Sequence, residues 1–212
     1  LATCTVASRH HRDAAHNTGL HRVLRAHGHD LDELIAAAAP TEAFFAQRLD
    51  HFDHQEPGVR WQQRYQVNET FHTKGGPVFL LLGGEGPASP VWLAAETAPM
   101  VYAREHGAAV YQLEHRFYGK SQPFDDLSTE HLQYLTSRQA LADAAEFVSS
   151  VILPKHGEAT KVISFGGSYS GALSAWLRQT YPKIIHAAVS TSSPILAQVS
   201  LSLSLSLPLS LC

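Results

Sequence analysis

The run Pro77-Val-Phe-Leu-Leu-Leu82, followed at once by Gly83-Gly84, constrains this chain more than any other stretch. A continuous apolar run that short, closed by a glycine turn, describes a strand covered on both faces. Such a strand needs packed partners. Ala109–Leu113, Lys161–Phe165 and His186–Val189 are three more short strand-like runs. Between them Leu141, Ala144, Ala145, Val148 and Ile152 recur at helical spacing after the start signal Thr136-Ser137, and Tyr169, Ala172, Leu173 and Trp176 do the same. The segment from Pro90 to His106 also reads as helical, with Pro99 expected to kink or break it. Strands alternating with helices imply parallel strands joined by right-handed crossovers, and hence an α/β fold with a mostly parallel sheet.

Composition narrows the function classes. A formal net charge of −3 and the absence of a basic stripe leave no surface to neutralise phosphates, so nucleic acid is not an expected partner. No stretch approaches the roughly 20 apolar residues that span a bilayer. Cys4 and Cys212 lie near opposite ends and leave a disulfide open either way. The chain begins at Leu1 without a signal-peptide core, so a missing natural start is expected.

Three zones follow from residue usage. Residues 1–40 are His/Arg-rich, with His10, His11, His16, His21, His27 and His29 close together. Imidazoles can ligate zinc or copper, but the spacing holds no HExxH and no third acidic ligand. The segment reads as a poorly ordered or partly helical tail or pro-segment, and no metal or other cofactor is expected. Residues 41–198 carry the α/β pattern. Residues 199–212 form a Ser/Leu repeat interrupted by Pro208, which reads as a low-complexity tail.

The chemistry centres on Ser164-Phe-Gly-Gly-Ser-Tyr-Ser-Gly171. A serine between the end of a strand and the start of a helix exposes its Oγ, and the amide of the next residue faces the oxyanion formed there. The strained turn demands small neighbours. Gly166, two before Ser168, meets that demand; Ser170, two after, replaces the usual glycine, with Gly171 next to it. The alternative role of Ser168 is a simple helix cap. Gly83-Gly84-Glu85-Gly86 lies where hydrolases of this architecture place their second oxyanion donor. Asn68-Glu69-Thr70 matches the glycosylation acceptor pattern.

Five motifs in one order, Gln47-Arg-Leu-Asp-His-Phe52, Gln63-Arg-Tyr-Gln-Val-Asn68, Gly83-Gly-Glu-Gly86, Glu114-His-Arg-Phe-Tyr-Gly-Lys-Ser121 and Gly166-Gly-Ser-Tyr-Ser-Gly171, resemble the serine peptidase family of lysosomal prolylcarboxypeptidase, dipeptidyl peptidase II and thymus-specific serine protease. The resemblance runs from about Phe44 to Ala197. It implies the N-terminal part of an α/β-hydrolase fold, a lysosomal or secretory setting, and peptide substrates cleaved by a Ser-Asp-His triad. On these motifs it makes Ser168 the nucleophile and gives the oxyanion hole to the amide of Tyr169 with that of Gly83 or Gly84. Glu114, His115 and Arg116 fall on a loop at the catalytic rim and read as loop-shaping residues.

The departure from that family lies after the nucleophile. In α/β-hydrolases the acid and base follow the serine in chain order. Here no Asp or Glu follows Ser168, and the single histidine, His186, stands at the start of its strand and reads as structural. The expectation is a serine-type peptidase chain that lacks its activating pair and is inactive alone. A non-catalytic peptide-binding fragment and an esterase-like hydrolase are the competing expectations.

Overall fold

The computed structural model describes residues 40–53, 58–94 and 97–195, with residues 26–28, 33 and 36. Most of the histidine-rich opening, the Ser/Leu tail, Cys4 and Cys212 therefore lie outside the described residues.

Strands β3 (Val78–Leu82) and β4 (Ala109–Leu113) form the centre because nearly every side chain on them is buried. They pair in parallel, with Leu80 opposite Tyr111. On the far side of β3 run β5 (Val162–Gly167) and then β6 (Ala187–Thr191), both parallel to it. Their two-sided burial follows from period-two geometry: Val78 and Leu80 enter one core with Tyr111, Phe147, Ile152, Leu177 and Ile185, while Phe79 and Leu81 enter the other with Leu93, Met100, Val110 and Phe165. Each large side chain buried there contributes about 1.5–3 kcal/mol.

The other half of the sheet is antiparallel. Strand β1 (Thr41–Arg48) pairs with β2 (Arg60–Asn68), which pairs with β4, giving the order β1-β2-β4-β3-β5-β6. Their apolar alternation is broken, since Gln63 interrupts Trp61, Tyr65 and Val67 on β2 and much of what the two strands bury is polar. Gln47, Gln63 and Arg64 face inward and are satisfied there: Gln47 Nε2 donates to Gln63 Oε1 (2.9 Å) and Gln63 Nε2 to the Glu114 carbonyl (2.8 Å).

Helix α1 (Ala98–His106) begins where the expected kink was placed. Pro99 occupies its first turn, where a missing N–H costs nothing, so it starts the helix; Pro90–Leu93 form a separate 3₁₀ turn. A single turn, α2 (Thr129–Leu132), precedes α3 (Ser137–Phe147), whose N-terminus is capped by Thr136 accepting from the Gln139 amide at 3.1 Å. A π turn (Val148–Ile152) and α4 (Leu153–His156) lead into β5. Helix α5 (Ser168–Thr180) follows β5 without a spacer and packs on β5 and β6. The C-terminal ends of β3, β4 and β5 thus share one edge, where ligands of open α/β sheets bind.

Candidate active site

Ser168 is the first residue of α5 and the residue after β5, and its backbone lies in the left-handed region (φ 56°). A non-glycine residue held there costs about 1–3 kcal/mol and persists only where its surroundings impose it. The surroundings are visible. A Cβ on Gly166 would sit 2.0 Å from the Ser170 carbonyl oxygen, and one on Gly171 would sit 2.1 Å from Ser193 Oγ. From β6, Thr191 Oγ1 donates to the Gly166 carbonyl (3.1 Å) and Ser190 Oγ to the Gly171 carbonyl (2.8 Å). Strand, turn and helix are clamped together, and Ser168 is left exposed at the tip.

Ser170 fits the place usually held by glycine because its side chain turns back on the turn. Its Oγ accepts from the Gly167 amide (3.1 Å) and donates to the Gly167 carbonyl (2.8 Å). Gly171 then supplies the close approach to β6.

The two candidate glycines after β3 separate. Gly83 donates its amide to the Leu113 carbonyl at 2.8 Å, and a Cβ there would sit 2.7 Å from the His115 nitrogen. Its role is close strand packing, and that amide is spent. Gly84 follows: a Cβ built on it lies 3.8 Å from the Ser170 Cβ, so this turn abuts the first turn of α5. Continuing the β3–β5 register from Leu81 opposite Phe165 brings Gly83 level with Gly167.

The rim loop after β4 is built on two buried charges. Glu114 accepts from Arg64, from the amides of Ala88 (2.9 Å) and Lys120 (3.0 Å), and from Ser121 Oγ (2.7 Å). Arg116 is paired with Asp143 on α3 and also donates to the carbonyls of Leu49 (3.1 Å) and Tyr134 (2.9 Å). Both side chains therefore hold the loop and neither reaches outward.

His115, between them, is buried. Its Nδ1 lies 2.7 Å from the Arg116 carbonyl oxygen and its Nε2 lies 3.1 Å from the Tyr169 hydroxyl. Burial pushes its pKa below the usual histidine value. That contact, and the 3.0 Å approach of Ser137 Oγ to the same hydroxyl, carried no signal in the sequence: the residues are separated by 54 and 32 positions. Thr136 takes the capping role in the Thr136-Ser137 pair, which leaves Ser137 free to meet Tyr169.

His186 lies at the opposite end of the sheet, where its Nδ1 accepts from the Val162 amide at 3.2 Å. Val162 and Gly167 bound β5, so the imidazole is about 16 Å along the strand from the turn that holds Ser168. The acceptor pattern at Asn68 falls on a buried side chain. Its Nδ2 donates to the Leu93 carbonyl at 3.0 Å, so a glycan on that nitrogen is incompatible with this packing. Among the described residues no helix is long and apolar enough to cross a membrane.

A family model described as serine carboxypeptidase S28 matches residues 47–202. The Caenorhabditis elegans protein K12H4.7, named as a serine protease, is 46% identical over 158 residues, 73% of this chain and 31% of the relative. Human lysosomal Pro-X carboxypeptidase is 39% identical over 158 residues, 72% of this chain and 31% of the relative. Among solved structures, the thioesterase domain from the curacin biosynthetic pathway has a TM-score of 0.52 at 15% identity, covering 76% of this chain and 48% of that one, a likeness of fold alone. The chain spans about a third of the length of the curated relatives it matches.

Proposed function

The chain belongs to the serine carboxypeptidase S28 family, and from that premise we propose that Ser168 is the nucleophile of a serine peptidase acting on peptides. The observation that carries the reading is the left-handed Ser168 at the edge shared by the ends of β3, β4 and β5. That conformation turns the Oγ outward and points the following amide at a bound carbonyl oxygen.

In the reaction, Ser168 Oγ attacks the scissile carbonyl carbon while a general base removes its proton. The carbonyl oxygen becomes an oxyanion facing the N–H of Tyr169 and, on this reading, the N–H of Gly84. Collapse of the intermediate expels the amine, which takes the proton back from the base, and water then hydrolyses the acyl-serine by the same steps.

On this reading the general base is not among the described residues. No acidic residue follows Ser168, His186 is at the wrong end of β5, and both ring nitrogens of His115 are engaged. An unassisted serine hydroxyl retains only a small part of a triad's rate, since removing triad members leaves about 10³–10⁴-fold over water. That shortfall favours a second reading for the 212 residues alone, a peptide-binding module without turnover. The resemblance to a lysosomal carboxypeptidase supports a lysosomal or secretory setting.

The test is peptide hydrolysis by the 212-residue chain and by the same chain extended with the remaining C-terminal region of a family member. Turnover only in the extended form, lost in Ser168→Ala and kept in His186→Ala, supports the proposal. Turnover that survives Ser168→Ala in the extended form refutes it.

A further inference from the structure

We propose that His115 is a positioning residue that holds the oxyanion amide of Tyr169 through the Tyr169 hydroxyl; the inference rests on Ser168 being the nucleophile. Three separate elements converge on one phenol oxygen. His115 comes from the loop after β4, Ser137 is the first residue of α3, and Tyr169 is the second residue of α5.

The protons can be placed one by one. The Arg116 carbonyl can only accept, so His115 Nδ1, 2.7 Å away, carries the hydrogen. In the neutral ring, favoured by burial, Nε2 is then bare and accepts from the Tyr169 hydroxyl at 3.1 Å. The phenol oxygen in turn accepts from Ser137 Oγ–H at 3.0 Å. The relay thus runs from Ser137 to Tyr169 to His115 to the Arg116 carbonyl.

The far end of this relay is anchored. Arg116 is closed to solvent, and its guanidinium is bound to Asp143. The imidazole is also flanked by the Tyr118 and Tyr169 rings at centroid distances of 5.4 and 5.6 Å. Tyr169 is therefore held at both its side-chain tip and its backbone, one residue beyond a left-handed serine. An oxyanion donor works through its preset position, and a displacement of about 1 Å can cost a hundredfold in rate. His115 touches neither the nucleophile nor, on this assignment, the substrate; it acts through Tyr169.

Two measurements decide the proposal. Nitrogen NMR of the histidine-labelled 212-residue chain, with His115→Gln to assign the signal, should show His115 protonated on Nδ1 and bare on Nε2, and Tyr169→Phe should shift the Nε2 signal. In the catalytically extended chain, His115→Leu and Tyr169→Phe should each lower kcat by about 10–100-fold with KM within about twofold, because the oxyanion forms only in the transition state. The double variant should lose no more than the worse single variant. His115→Gln, which keeps an acceptor, should recover most of the loss. A proton on Nε2, multiplying losses in the double variant, or lowered melting temperatures with unchanged kcat would each overturn the proposal. If Ser168→Ala leaves turnover intact, the nucleophile reading fails and the role of His115 with it, whereas the NMR result alone still reports whether the hydrogen bond to Tyr169 exists.

Discussion

Arg116 and Asp143 meet as a two-bond ion pair in the interior, with Nε and Nη2 of the guanidinium each 2.6 Å from a carboxylate oxygen and both side chains closed to solvent. The pair ties the rim loop after β4 to the middle of α3, and so fixes the platform on which His115 sits. Removing one partner strands the other as an uncompensated buried charge. Asp143→Asn should therefore cost about 3–5 kcal/mol, read as a lower urea midpoint at unchanged slope. By contrast, the Lys120–Glu42 pair is more than half exposed on the lysine side, and Lys120→Ala should change stability by less than about 1 kcal/mol. Equal effects of the two substitutions would contradict this ranking.

The conformation of Ser168 gives a test that needs no catalysis. At φ 56° an L side chain is strained, and glycine is not. Ser168→Gly should be more stable than Ser168→Ala by about 1 kcal/mol, the strain relief exceeding the extra chain entropy of glycine. If alanine is the more stable of the two, the strained turn is wrong.

What the sequence made legible follows a physical divide. β3, β4 and β5 announced themselves because they are buried on two faces, so apolar runs were unavoidable. β1 and β2 did not, because Gln47, Gln63 and Arg64 are buried by hydrogen bonding rather than by apolar character. In the site, the strand–serine–helix turn was readable from Gly166 and Ser168, since a local strain needs local glycines. The fate of the Gly83 amide was not, because it depends on Leu113 thirty residues away along the chain and one strand across. Asn68 matched a tripeptide pattern, yet its side chain is buried and tied to the Leu93 carbonyl on another element. Long-range partners leave no spacing to read.

Acid should weaken the fold before the carboxylates titrate. Burial first, and the neighbouring His72 second, hold the His156 pKa below its ordinary 6.5, partly opposed by Glu69. Its ring also meets Tyr111 and lies near Lys155. Because the folded pKa is depressed, the stability this site contributes is present above pH 6.5 and is lost as pH falls through the folded value. Glu42, Asp50 and Glu69 are held below their ordinary values, so their loss falls in a lower window. Urea midpoints should fall between pH 7 and pH 5, and His156→Gln should flatten that decline. An unchanged slope in the variant would remove His156 from the account.

Among the described residues β6 pairs on one side only, with β5, and Val189 on it is 37% exposed. An open strand edge with an apolar side chain is a template for self-association. Val189→Lys should lower concentration-dependent association in sedimentation while leaving the unfolding free energy from urea titration within about 0.5 kcal/mol of the parent. Undiminished association would place the sticky surface elsewhere.

Ser168 is proposed above as a nucleophile whose general base is not among the described residues. That assignment is tested most directly by treating the 212-residue chain and its C-terminally extended form with a fluorophosphonate and locating the adduct by mass spectrometry. An adduct on Ser168 should form readily in the extended protein and negligibly in the 212-residue chain. Rapid labelling of Ser168 in the 212-residue chain itself, or an adduct on any other serine in the extended one, would contradict it.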